Sequence, residues 1–414
     1  MKRLFFTLSL STFVFLLIGC WDRTEIEDVG FVMGVAFDPV ENEEQEIAQI
    51  EREIGETIPD EQRQHLFRLS HQIAIPDRLG EAGNEGKGDA TNQAHYNVVS
   101  TNITNMDAAR RVAAKMSRKL NFEHLNILVI NEELARQGMI MHLMDFYIRD
   151  HKMRRRTHVL ISQGDAKAIL EQPVPLDNMP SLFIERLIEN ESHVLQMPRI
   201  REVGDISERL IGKRSYIIPR ITTSGNEGEF VVAGAAVIHG IENKMIGWLG
   251  EYDIKGYNWV MGEAENGVLR VKVDREELDV GSYIIFETDE MATEVEYERK
   301  NDQNIFNLEI KVEGMLTESW MHDVDINDQG TLRQLEAEVE ETIEKQARDV
   351  IDKGQHEFHT DVFDFIEQVK HKEYDYWEEI RETWDGEDQA FQQARVSINA
   401  TVKIRHYMLQ ENLD

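Results

Sequence analysis

The sequence predicts a mixed α+β protein of three domains, each a β-sheet packed with α-helices, behind a cleaved lipoprotein signal peptide. Three observations support this. Residues 96–170 read as strand, helix, strand, helix, strand. The C-terminal third alternates apolar and polar residues with a period of two. The chain of 414 residues is 41% hydrophobic and 8% aromatic, enough apolar material for real cores. The expected organisation is signal peptide 1–19, an N-terminal α/β domain 20–172 with an acidic insertion at 41–61, a middle α/β domain 173–275 and a C-terminal α+β domain 276–414.

The signal comes first. Met1-Lys2-Arg3 is a basic start, and Leu4 to Ile18 is a mostly apolar stretch, too short to span a bilayer comfortably. Leu17-Ile18-Gly19-Cys20 then reads as a lipobox around the chain's only cysteine. A diacylglyceryl group on Cys20, with an N-acyl chain on the new terminus, supplies the two or more chains that stable anchoring needs. Trp21 suits the headgroup zone. The plainer alternative is a secretory signal with an incidental cysteine. A single cysteine excludes an intrachain disulfide and a Cys-based zinc site.

In the N-terminal domain, Asp28 to Phe37 reads as a strand. Glu41 to Glu61 is acid-rich and reads as a solvated helical or disordered insertion. Leu66 to Ile75 is a strand stopped by Pro76, and Gly80 to Asn92 a long flexible loop. Tyr96 to Ile103 is a strand. Thr104 to Asp107 is a capping-box variant, with Asp where Glu is usual. It opens a helix whose apolar stripe is Ala109, Val112, Ala113, Met116 and Leu120. Leu125 to Ile130, apolar but for Asn126, reads as a buried central strand. Met139 to Arg149 is a helix, Thr157 to Ser162 a strand, and Asp165 caps a helix over 166–170.

Pro173 to Pro180 marks a boundary. Ser181 to Leu195 and Asp205 to Ile211 read as helices and Tyr216 to Ile221 as a strand. Val231 to His239 and Lys244 to Leu249 form a hairpin about Glu242-Asn243. Further on, Val295 and Tyr297 alternate with glutamates, the chain turns at Asn301 to Asn304, and Phe306, Leu308, Ile310 and Val312 line the dry face of a second strand. A long helix follows with Leu332, Leu335, Val339, Ile343, Ala347 and Val350 on one side, and with Glu341/Lys345 and Glu344/Arg348 as i,i+4 pairs. Trp377, Ile380 and Trp384 make another helical stripe, read as core. Val396 to Ile404 is a last alternating strand that must return to the sheet.

The net charge is −33, from 78 Asp and Glu against 45 Lys and Arg. This argues against nucleic acid as a partner and against a polybasic contact with anionic lipid, which leaves the anchoring to the acyl chains. Two basic clusters run against the trend: Arg110 and Arg111 with Lys115, Arg118 and Lys119, and Lys152 with Arg154, Arg155 and Arg156. Either they dock a partner subunit or lipid headgroups, or they neutralise the chain's own carboxylates. No catalytic set is evident. His356-Glu357-Phe358-His359 has histidines three apart, not the four of the zinc-protease motif, so no metal site is assigned and both are expected at an exposed or half-buried helix start. Gly83, Gly86 and Gly88 do not link a strand to a helix and make no phosphate cradle.

With these residues in place, the chain resembles the Ger(x)C family, the lipoprotein C subunits of spore germinant receptors. The resemblance rests on Gly19-Cys20-Trp21-Asp22-Arg23 with Glu25-Ile26 and the strand to Asp38. It continues through Tyr96–Ser100 to Leu125–Ala135, and Leu143–Arg149 to Thr157–Leu160. It closes on Thr360-Asp361-Val362-Phe363-Asp364-Phe365, Tyr376-Trp377 and Trp384. The departures are the acidic insertion and the overall acidity. The resemblance implies three α/β domains, a lipid-anchored place on the outer face of the inner spore membrane, and assembly with two integral-membrane partners, an A-type and a transporter-like B-type subunit. It implies no enzymatic activity and no cofactor beyond the lipid on Cys20. The rival function is a solute-binding lipoprotein feeding a transporter. That would want two similar lobes around a hinge, which the dissimilar third domain speaks against.

Overall fold

The computed structural model describes residues 28–79, 94–174, 176–199, 201–223, 229–273, 282–320 and 328–407. The signal peptide, Cys20, the Gly80–Asn92 loop and Gly83, Gly86 and Gly88 lie outside them.

The described residues form two sheets. The first takes its strands in the order β10-β9-β8-β6-β5-β1-β2-β3. Its parallel centre is β1 (Val29–Asp38), β5 (Ile127–Asn131), β6 (His158–Ser162) and β8 (Tyr216–Thr223). Antiparallel flanks are β2 (Phe67–Ala74) and β3 (His95–Asn102) on one side, β9 (Phe230–His239) and β10 (Lys244–Leu249) on the other. Short β4 (Lys119–Asn121) pairs with the start of β1, and β7 (Arg201–Glu202) with the start of β6. All five residues of β5 are buried, as expected for a strand covered on both faces.

The acidic insertion is helical: α1 (Glu43–Ile54) and α2 (Asp60–Arg63). A short α3 (Pro76–Leu79) follows β2. Helix α4 (Asn105–Lys115) is capped by Thr104, whose Oγ1 accepts from Asp107 N–H at 3.2 Å and donates to the Asp107 carboxylate at 2.8 Å. Its buried stripe is Asn105, Ala108 and Val112, one residue off the expected one. Ala113 is exposed because it lies off the face carrying Asn105, Ala108 and Val112. Met116 is already extended, and Leu120 sits on β4. Helices α5 (Glu132–Arg136) and α6 (Ile140–Arg149) carry the chain from β5 to β6. Asp165 caps α7 (Ala166–Glu171) by accepting from Lys167 N–H. Then come α8 (Pro180–Ile188) and α9 (Val203–Gly212). Helices α4, α6 and α9 pack on one face of the sheet, α7 and α8 on the other.

The division expected at 172/173 does not break the hydrogen-bond network. Strands β8, β9 and β10 of the middle segment continue the sheet of the first, because β8 pairs directly with β6. The second sheet, order β11-β12-β13-β14, begins ahead of residue 276 with β11 (Val268–Val273). Its centre is a long hairpin, β12 (Ser282–Lys300) and β13 (Gln303–Ser319), turning at Asn301 and Asp302, both at positive φ as a tight two-residue turn demands. The 25-residue α11 (Gln329–Lys353) then returns the chain, and β14 (Arg395–Tyr407) lies parallel to β13.

Between the sheets lies α10 (Glu251–Met261). Ile254, Tyr257, Trp259 and Val260 join Ile217, Ala235, Val237 and Leu249 of the first sheet to Leu308 and Ile310 of the second, and to Val339 and Ile343 of the helix packed on it, in one apolar core. A Cβ on Gly256 would sit 2.0 Å from the Gln346 carbonyl oxygen, so α10 and α11 touch backbone to backbone there. Trp259 Nε1 donates to Gln346 Oε1 at 2.9 Å beside that crossing.

The expected pairs on α11 are replaced. Lys345 reaches Asp349 at 2.5 Å, and Glu344 accepts from the backbone N–H of Ala400. His356 and His359 end a helix instead of starting one. A π-turn, Gly354–Phe358, follows α11, and each ring Nδ1 lies about one hydrogen bond from the carbonyl four residues back, at 3.0 and 2.9 Å. Helices α12 (Phe365–Lys372) and α13 (Tyr374–Ile380) follow. Trp384 lies beyond α13 and is buried, whereas Trp377 and Ile380 are half-buried.

Candidate functional site

The chain's C-terminal motif closes a joint between the two sheets. After α9 the chain turns at Lys213, in the left-handed region, and presents Arg214 and Ser215 ahead of β8. The β9–β10 turn comes within contact here: a Cβ on Gly240 would lie 2.3 Å from the Arg214 carbonyl carbon. Gly240 N–H donates to Ser215 Oγ at 2.8 Å, and Ser215 in turn donates to Asp385 Oδ2 at 2.6 Å. Asp385 Oδ1 accepts from Asp361 N–H at 2.8 Å. Asp361 accepts from the N–H groups of Phe363 and Ile366 and from Trp384 Nε1, each at 2.9 Å. Arg209 donates both terminal nitrogens to the Asp364 carboxylate, one of them at 2.6 Å, and Arg214 stands 3.5 Å from Asp364 and 3.6 Å from Glu367.

The electrostatics follow from burial. Desolvation pushes the Asp361 carboxyl up to about 6, against the pull of its three donors. It pushes Asp385 up to about 7, with the Asp361 charge adding to it. Burial works against the charge of Arg209, but the bond to Asp364 prevails and holds its pKa above the ordinary value. A cleft of about 650 Å³ opens over these groups, with exposed Ile211 and Ile241 and half-buried Trp377 at its rim. Lys370 Nζ and the Arg381 guanidinium stand 5.0 and 5.3 Å from the Trp377 ring centre. Both buried carboxyls are engaged with the chain's own donors. The arrangement is a polar clasp under an amphipathic cleft, suited to holding two bodies together and to contact. Among the described residues no group of three or more His, Cys, Asp or Glu side chains could hold a metal.

Sequence reasoning missed Ser215, Arg209 and Asp385 here. The signal that could have found part of the joint was the motif Thr360–Phe365 with Trp384, which the structure brings together around Asp361. The five arginines singled out from the sequence are not brought together. Arg110 is exposed on α4, and Arg111 donates to Glu53 of the acidic insertion at 2.7 Å. Arg154, Arg155 and Arg156 are exposed and immediately precede β6. Arg154 Nη2 lies 3.2 Å from His124 Nδ1, and Arg156 Nε 4.0 Å from Glu202.

Residues 22–223 match the family model described as the spore germination protein N-terminal domain, and 233–408 the one described as spore germination B3/GerAC-like, C-terminal. The chain belongs to the Ger(x)C family. Spore germination protein YndF of Bacillus subtilis (strain 168) is 25% identical over 394 residues, covering 94% of this chain and 93% of the relative. Spore germination protein B3 of the same organism is 25% identical over 89% of each chain. The crystal structure of the GerBC protein superposes with a TM-score of 0.56 at 22% identity, covering 92% of this chain and all of that one, so the two share a fold. A spore germination role, related to the germinant receptors, goes with the Ger(x)C assignment. Neither Ger(x)C model describes an enzyme. Among the described residues no helix is long and apolar enough to cross a membrane.

Proposed function

We propose that this chain is a lipid-anchored, non-enzymatic subunit of a germinant receptor complex, held on the outer face of the inner spore membrane. Its partners there are two integral-membrane subunits, one A-type and one transporter-like B-type, and its work is assembly or coupling of the germinant signal. The observation that carries the reading is the lipobox cysteine, Cys20, standing two residues ahead of the first residue matched by the family. A diacylglyceryl cysteine buries enough methylenes to anchor a body of this size. The non-enzymatic part is supported by the joint, where Asp361 and Asp385 spend their oxygens on Ser215, Trp384 and backbone donors.

Replacing Cys20→Ala is expected to move the protein from the membrane fraction to the soluble fraction and to blunt the germination response of spores. Retention of the variant in membranes after salt and alkaline washing would show that something other than the lipid holds it.

A further inference from the structure

The two basic clusters of an acidic chain meet, in part, at one end of the first sheet. Lys119 pairs across from Val29, the first residue of β1, and a Cβ on Gly30 would lie 3.7 Å from Arg118 Cβ. Strand β6 runs parallel to β5, and β5 parallel to β1, so residues 152–156, just before β6, sit at this same end. His124 joins the two groups. Its ring contacts Phe31 of β1 at 5.3 Å, and its Nδ1 lies 3.2 Å from Arg154. Lys119, Lys152, Arg154, Arg155 and Arg156 are all exposed and Arg118 half so. The acids among them are exposed Asp28, Glu123 and Glu189, and four half-buried ones. These four are Asp150, which accepts from Lys152 N–H at 2.9 Å, Glu202 at 4.0 Å from Arg156, Glu191, and Glu185, whose carboxyl feels both Glu189 and Arg154. The excess of cations is therefore in the exposed groups. In a chain with 78 acids to 45 Lys and Arg, a cationic tip is the exception.

The tip is also where the chain enters the fold. Eight residues, and so nine steps along the chain, separate Cys20 from Val29. Fully extended they reach about 30 Å. The far end of β1 lies roughly another 30 Å away, at about 3.3 Å per residue. If Cys20 carries the lipid, as proposed above, this end of the sheet is the one tethered to the bilayer, within about 30 Å of it. Charges act there within a Debye length of about 8 Å at physiological salt.

We infer that the tip formed by Arg118, Lys119, Lys152 and Arg154 to Arg156 is a docking surface for anionic phospholipid headgroups, which orients the anchored protein on its membrane. The inference rests on the anchor reading for its geometry. The binding chemistry is independent of the lipid: guanidinium and ammonium groups on a surface of phosphate monoanions, each adding to attraction and each screened by salt.

The mature chain bearing Cys20→Ala tests the tip without the anchor. It should sediment with vesicles containing phosphatidylglycerol at least about tenfold better than with pure phosphatidylcholine vesicles at low salt, and lose the difference at high salt. Lys119→Gln, Arg154→Gln, Arg155→Gln and Arg156→Gln together should abolish the preference without shifting the thermal transition. Equal binding to both vesicles, or a preference that survives the four substitutions, overturns the proposal. So does binding that emerges only after Asp22→Asn, Glu25→Gln and Glu27→Gln, since the chain's own acids would then occupy the tip. In the lipidated chain, a fluorophore at Ser117→Cys should be quenched by headgroup-labelled lipid and one at Gln137→Cys should not; equal quenching also overturns it. Failure of the lipidated chain to stay on neutral vesicles would instead refute the anchor, and leaves the vesicle preference of the Cys20→Ala chain standing.

Discussion

Asp364 does two jobs with one carboxylate. It stands at φ +61° ahead of α12, a conformation Asp and Asn tolerate, and it receives the forked guanidinium of Arg209. Side-chain exposures of 12% for Arg209 and 24% for Asp364 place the pair where solvent screens it little. Asp364→Asn keeps the backbone preference and removes the charge, leaving Arg209 half-satisfied. We expect a loss of about 2–3 kcal/mol in urea unfolding. Asp385 behaves in the opposite sense. Its folded pKa of about 7 lies above the ordinary 3.8, so the folded state binds the proton more tightly. Its contribution is therefore fully present below about pH 4 and is lost as pH rises through 7. Asp385→Asn resembles the protonated form. It should match the parent near pH 4 and exceed it by at least about 1 kcal/mol at pH 8; a pH-independent difference would show that Asp385 ionises freely in the fold.

At the scale of elements, α11 closes the edge of its own sheet. Glu336, Glu340 and Glu344, one turn apart, accept from the N–H groups of Ile404, Val402 and Ala400 at 3.1, 2.9 and 3.0 Å. A strand edge shows alternate N–H groups outward and a helix shows every fourth residue on one face, so three carboxylates serve three donors. This occupies an edge that could otherwise pair with another chain. Replacing all three by Ala should cost about 1 kcal/mol or more per bond and cause self-association visible by light scattering. The Gln triple variant, which keeps an acceptor oxygen, should stay monodisperse and recover most of the stability. Equal loss in both would assign the effect to charge instead of to the hydrogen bond. The same element shows the limit of pattern reading. Glu344 at i,i+4 from Arg348 looks like a surface pair, and the edge strand captured it because a backbone N–H without a partner costs more than an exposed ion pair returns.

Over the whole molecule, the two sheets share one core through α10, and buried Arg201 of β7 donates to Tyr257 of that helix at 2.9 Å. Two bodies with a common core should unfold together. Near- and far-ultraviolet circular dichroism are expected to report one coincident thermal transition, and Gly256→Leu, which forces α10 from α11, should lower it for both sheets at once. A first transition confined to one sheet would show that α10 does not couple them. The charge of −33 acts on this same scale, since self-repulsion opposes compaction.

By itself the sequence determined the type of most of the elements it read, though not α10 or β11, together with the single cysteine behind an apolar leader and the resemblance to a germination family. Periodicity, caps and turns are local, so β5, the β12–β13 hairpin, β14, α11 and the Thr104 and Asp165 caps could all be read from neighbours in the chain. Only the tertiary structure decided which strands pair, and so joined β8, β9 and β10 to the first sheet across the expected boundary at 172/173. It alone brought Ser215 to Asp385 from 170 residues away and Arg209 to Asp364 from 155. The reason is physical: a buried carboxyl or guanidinium needs a partner, but any of many could serve, and which one does is set by how the sheets meet.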